Sequence, residues 1–188
     1  MEKKPEKKEK MVKNTKEDIA AALIMAGFKR TEKRREEEAK KRRNLGTKPE
    51  FGYSIDGTKL PRFPPIQNLK QIIGKCSYPF EKKMTKTDLD YDGDKFSLNI
   101  YDVKRAILPL LNEHEIGNIG TGISVKTFDQ SGNCYEMIFQ TYRNSIYKLY
   151  NGWKKLLKYH KLKKNGDYYA AVWMFRHKEN DGLCFALM

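Results

Sequence analysis

The chain has 188 residues and carries 38 lysines and arginines against 24 acidic side chains, a formal net charge of +14. Cys76, Cys134 and Cys184 are odd in number and widely spaced, with no Cys-x-x-Cys pair, which argues against a disulfide framework and a cysteine zinc site and fits a reducing compartment. No apolar signal region opens the sequence, and its longest apolar run, residues 19–28, is too short to span a bilayer, so the cytosol or nucleus is expected and no membrane.

Residues 1–50 form a charged, low-complexity tail with 17 basic and 10 acidic side chains, partly helical or disordered. Within it residues 15–43 are good helix-forming sequence. Ile19, Leu23 and Ile24 fall on one helical face, a candidate segment for a protein partner. Lys40-Lys41-Arg42-Arg43 reads as a nuclear localisation cluster, while the same residues also suit a charged helix face beside Glu36, Glu37 and Glu38. Residues 51–73, punctuated by Gly52, Gly57, Pro61, Pro64 and Pro65, read as a linker.

From residue 74 to 188 the signals are those of short strands. Residues 80–84 and 96–100 alternate in polarity about an Asp92-Gly93 turn and read as a hairpin; Asp102 is placed to cap a short helix that Pro109 stops. Residues 123–127 and 135–142 make a second hairpin about Asp129-Gln130-Ser131-Gly132, and residues 146–150 a further strand. Asn151-Gly152 then opens a helix in which Trp153, Leu156, Leu157 and His160 share one face, with Lys154, Lys155, Lys158 and Lys161 on the other. Residues 168–176 and 183–187 close the chain as two strands about Asn180-Asp181-Gly182. Seven strands and two short helices predict a mainly β fold, an open β-barrel whose curling covers its sheet edges.

The most informative stretch is 140–166. Between Glu136 and Asp167 there is no acidic residue, while Arg143, Lys148, Lys154, Lys155, Lys158, Lys161, Lys163 and Lys164 are interleaved with Tyr142, Tyr147, Tyr150, Trp153 and Tyr159. Such a one-signed surface suits a polyanion, because each phosphate neutralised releases condensed counterions. Acidic lipid and acidic protein are attracted by the same net charge.

These residues together resemble the plant-specific B3 DNA-binding domain of transcription factors, in particular a divergent subgroup first catalogued as a plant domain of unknown function. The resemblance rests on Phe80-Glu81-Lys82-Lys83-Met84-Thr85-Lys86-Thr87-Asp88, on Leu98-Asn99-Ile100, and on Asn144-Ser145-x-Tyr147-x-Leu149-x-Asn151-Gly152-Trp153. It continues through Gly166-Asp167, Val172-Trp173-Met174-Phe175-Arg176 and Leu183-Cys184-Phe185-Ala186-Leu187. It implies a DNA-binding pseudobarrel that clamps the major groove of double-stranded DNA with two loop arms, in a nuclear regulator of transcription. The first arm corresponds to Lys82, Lys83, Thr85, Lys86 and Thr87, and the second to Arg143, Asn144, Ser145, Tyr147 and Lys148. Arg and Asn present forked hydrogen-bonding groups that match guanine and adenine edges, whereas Ser, Thr, Tyr and Lys hold phosphates.

Other readings run beside this one. The Asp88, Asp90, Asp92 and Asp94 run repels phosphate unless it faces away; as a calcium loop it lacks the Glu at its twelfth position, where Asn99 stands. Trp153 reads as a core anchor, and core packing competes with phosphate contact at Tyr147. His114, His160 and His177 have no metal-ligand spacing, and no nucleophile elbow, phosphate-binding Gly loop or supported acid/base pair is present. No enzyme, cofactor, metal or small-molecule substrate is expected. The alternatives to a sequence reader are a B3-like scaffold serving as a protein-interaction module and a general nucleic-acid binder that includes RNA.

Overall fold

The structure is a computed structural model that describes residues 52–142 and 146–188; the expected tail, its apolar run and the Lys40–Arg43 cluster lie outside the described residues. The fold is mainly β. One mixed sheet contains β1 (Ile73–Cys76), β2 (Phe80–Lys83), β3 (Lys95–Leu98), β4 (Ile123–Phe128), β5 (Cys134–Tyr142), β6 (Ile146–Tyr150), β7 (Tyr169–His177) and β8 (Leu183–Leu187). The order across it is β1-β7-β8-β4-β5-β6-β3, with β2 also on β7. All pairs are antiparallel except β4 with β8, where Lys126 lies opposite Cys184.

β7 is the centre of the sheet. Its near-continuous apolar sequence is that of a strand covered on both faces, and eight of its nine residues are buried. One edge pairs with β8. The other takes β1 at His177 and Phe175 and then β2 from Val172 to Tyr169. β1 and β2 are therefore successive pieces along one edge, and the eighth strand is this extra piece at the border of the expected linker. Ser77 bridges the break, with its N–H donating to Met174 O (2.7 Å) and its Oγ accepting from Met174 N (2.9 Å). Pro79 follows, where a ring without an N–H interrupts a ladder.

Period-two alternation sorts β7 and β8 into two cores. Val172, Met174, Phe185 and Leu187 face the larger one, with Phe96, Phe139, Leu149 and Trp153. Ala171, Trp173, Phe175 and Ala186 face a second, completed by Leu60, Ile66 and Leu69. The Pro/Gly-rich segment read as a linker thus lies against the back of the sheet, where Trp173 Nε1 donates to Pro61 O at 3.1 Å. It covers an apolar face that would otherwise meet water.

Two further expectations are corrected. The strands at 80–84 and 96–100 do not form a hairpin with each other: β2 pairs with β7, and β3 pairs with β6. Their free edges are the two ends of the sheet, and no hydrogen-bonded ladder between them closes it among the described residues. Among the described residues the α-helices number three rather than two. α1 (Ile100–Asp102) is capped by Asn99, not Asp102, widens into a π turn (Val103–Ile107) and ends in a tighter 3-10 turn (Leu108–Leu110) at Pro109. α2 (Glu113–Asn118) starts with a capping box in which Asn112 and Glu115 satisfy each other's backbone N–H groups. α3 (Trp153–Tyr159) is the expected helix, with Trp153, Leu156, Leu157 and His160 all buried.

Candidate nucleic-acid interface

The first arm, residues 84–94, leaves β2 and returns into β3; the second, residues 143–145, joins β5 to β6 and lies outside the described residues. Register fixes their relation. Lys95, at the end of the first arm, pairs with Tyr150, the last residue of β6, while the second arm enters β6 at Ile146. The strand ends to which the arms attach are therefore the two ends of one five-residue strand, roughly 13 Å apart at about 3.3 Å per residue, against a major groove about 12 Å wide.

Between them lies the outward face of β3, β6 and β5. Ser97, Lys148 and Gln140 form one row, and Lys95, Tyr150 and Ile138 the next. Neither row contains a carboxylate. Lys148 Nζ sits 4.4 Å from the centre of the Tyr150 ring, a contact that holds the ammonium over the face while leaving its N–H groups to other acceptors.

Most of the acidic run of the first arm is engaged within the domain, with Asp88 buried and Asp92 exposed. Asp88 is fully buried and pairs with Lys82. It also accepts hydrogen bonds from Thr85 N and Oγ1 (2.7 Å each) and from Ser97 N (2.8 Å). Trp153 Nε1 donates to its backbone oxygen at 2.5 Å. Asp88 thereby links the two open sheet edges, β2 and β3, and ties both to α3. Asp94 accepts from Lys154 N at 2.5 Å at the start of that helix, where a negative charge complements the helix dipole. Asp90 meets Lys164 at 3.4 Å. The arm thus exposes Thr85, Lys86 and Thr87 while three of its four carboxylates are engaged within the domain.

Two residues of the expected contact set are placed differently. Lys82 stands over the Phe96 ring at 4.3 Å beside Asp88; burial pushes its ammonium below the ordinary value, opposed by that carboxylate. Tyr147 is 4% exposed and stacks on Phe139 at 6.0 Å, because odd positions of β6 face the core. Lys83 is exposed and pairs with Asp167 at 3.0 Å, which raises its pKa. Lys148 keeps the outward position described above. Arg143, Asn144 and Ser145 lie outside the described residues.

The far end of α3 is anchored by a cluster that periodicity does not reveal. His160 Nε2 lies 2.9 Å from Asp129 Oδ2, both buried. Asp129 also accepts from Ser131 N, Asn133 N and Nδ2, and Tyr135 OH, each at 2.9 Å. Burial raises the Asp129 pKa, but hydrogen bonds from His160, Asn133 and Tyr135 outweigh it and hold the carboxyl below its ordinary value. The signal was the turn itself: an Asp opening Asp-Gln-Ser-Gly folds its carboxylate back onto its own N–H groups. With both ends fixed, α3 presents Lys155 and Lys158 to solvent, while Lys161, expected on the same helix face, lies past its end at φ 51.

Residues 69–188 match the model of the family described as B3 domain-containing protein At2g31720-like. The Arabidopsis thaliana protein At4g03170, named for a B3 domain, is 32% identical over 118 residues, 62% of this chain and 46% of that protein. At4g03160 of the same plant, named likewise, is 27% identical over 106 residues, 56% and 54% of the two chains. The chain spans about half the length of these relatives. Among solved structures, the hypothetical Arabidopsis thaliana protein At1g16640.1 aligns over 60% of this chain and 88% of its own at 13% identity and a TM-score of 0.37. With the family match covering well over half of the sequence, the chain belongs to the At2g31720-like family of B3 domain-containing proteins.

Proposed function

We propose that this protein binds double-stranded DNA sequence-specifically in the major groove, as a nuclear regulator of plant transcription. The observation that carries the reading is the two carboxylate-free rows, Ser97-Lys148-Gln140 and Lys95-Tyr150-Ile138, across β3, β6 and β5, between strand ends about one groove width apart. In this reading Arg143 and Asn144 read base edges, and Lys83, Thr85, Lys86, Thr87, Ser145 and Lys148 hold phosphates. Lys82 and Tyr147 act from within, by fixing the first arm and the strand below the second. β2 to β8 work as a seven-stranded open pseudobarrel joined at Asp88, the residues before 50 form a separate charged tail available to protein partners, and Lys40-Lys41-Arg42-Arg43 directs nuclear import.

The test is selection from random duplexes with the full chain at physiological salt, repeated with the Arg143→Ala, Asn144→Ala pair. A short motif enriched by the natural protein and lost in the pair is the expected outcome. Equal, weak retention of both proteins without a motif would sink the reading in favour of a scaffold that no longer reads sequence. A true reader also keeps its preference as salt rises, while total affinity falls by about 0.9 log units per tenfold salt for each phosphate neutralised.

A further inference from the structure

At the end of β2 opposite the first arm, the β1–β2 corner carries an exposed aromatic and proline surface. Phe63 is 51% and Tyr78 56% exposed. The Arg62 guanidinium lies 5.3 Å from the first ring centre and 4.5 Å from the second, so both rings flank one cation. Arg62 is fixed there, with its Nη1 donating to Ser77 O (2.6 Å) and Nη2 to Cys76 O (2.8 Å). A groove of about 440 Å³ runs alongside, lined by Pro61, Phe63, Pro65, Lys70 and Ile73. The Trp173 hydrogen bond to Pro61 O holds its floor.

We propose that this groove docks an extended, acidic, proline-containing segment of a partner protein. Prolines of a polyproline II strand pack between aromatic rings with little ordering cost, because the ligand is already extended. Charge selects the acidic version: among the described residues the groove is lined by the exposed Arg62 and Lys70 and by no carboxylate. A nucleic acid would be drawn by the same charge but would not need the ligand's prolines, so the control peptides and oligo(dT) separate the two. The proposal does not depend on the DNA reading, since it uses none of the arm residues.

The experiment is fluorescence anisotropy with the full chain and three short labelled peptides: Glu-Pro-Pro repeats, Lys-Pro-Pro repeats and Glu-Ala-Ala repeats. Glu-Pro-Pro is expected to bind at least about tenfold tighter than either control and to lose about tenfold or more with Phe63→Ser, Tyr78→Ser, the scale on which aromatic anchors act. Arg62→Lys, which keeps the charge but loses the planar stack, is expected to weaken binding in the same direction. Circular dichroism checks that the variants stay folded. Equal binding of the Glu-Ala-Ala peptide, retention by the double variant, or displacement of the peptide by single-stranded oligo(dT) would each overturn the proposal.

Discussion

Two buried carboxylates do most of the work at the scale of single residues, and both follow from what a low-dielectric interior demands of a charge. Asp88 is satisfied by Lys82, Thr85 and Ser97, so replacing it leaves the buried Lys82 ammonium without its partner. Asp88→Ala is expected to cost about 3–5 kcal/mol in urea unfolding, and a Lys82→Met, Asp88→Leu pair to cost less than the single change. Asp129 makes its contribution through pH. Its folded pKa is held below the unfolded value, so the stabilisation is present in full above about pH 3.9 and is lost as pH falls through the lower folded value. Melting temperature measured from pH 2 to 7 is expected to drop on that acid limb in the natural protein and to fall less steeply in Asp129→Asn. At neutral pH the same variant is expected to lose about 1–3 kcal/mol, the cost of leaving buried hydrogen-bonding groups unmatched. By contrast Cys76 and Cys184, which burial pushes up to about 11, are packing groups rather than reactive thiols.

Among the elements, α3 and its approach show how a short helix is made rigid enough to present charge. Asn151 adopts φ 61 and Gly152 φ 155, and a Cβ at Gly152 would stand 2.5 Å from Glu136 O. Neither strain nor space allows a larger residue there. Gly152→Ala is expected to destabilise the domain by about 1–3 kcal/mol, measured by chemical unfolding, whereas Asn151→Gly is expected to be close to neutral because glycine adopts that φ readily. The helix was legible in the sequence because its apolar positions recur at helical spacing over two turns. α2 was not: it has six residues, contains Gly117, and owes its start to the Asn112 and Glu115 box and its placement to Arg176. That buried arginine grips Glu115 (2.7 Å from Nη1) and Leu110 O from β7, a contact 61 residues distant that no local pattern announces.

For the whole molecule, the second core behind β7 decides where the folded body begins. Trp173 is 1% exposed and packs with Leu60, Ile66 and Leu69, so Trp173→Ala is expected to cost about 3–5 kcal/mol. It is also expected to open a new site of limited proteolysis within residues 52–69 that the natural protein resists. The strands themselves were readable from alternation and turn residues. The sequence by itself determined the mainly β class, seven of the eight strands, the register of α3 and the one-signed basic stretch, because each depends on neighbours a few residues apart. Contacts across the fold settle that β2 joins β7 rather than β3, that Leu60, Ile66 and Leu69 cover a core, and that Asp88 of the first arm is buried. Those outcomes are set by which polar and apolar groups meet across the sheet, where a buried charge must find its partner and an apolar face its cover, whatever the distance along the chain.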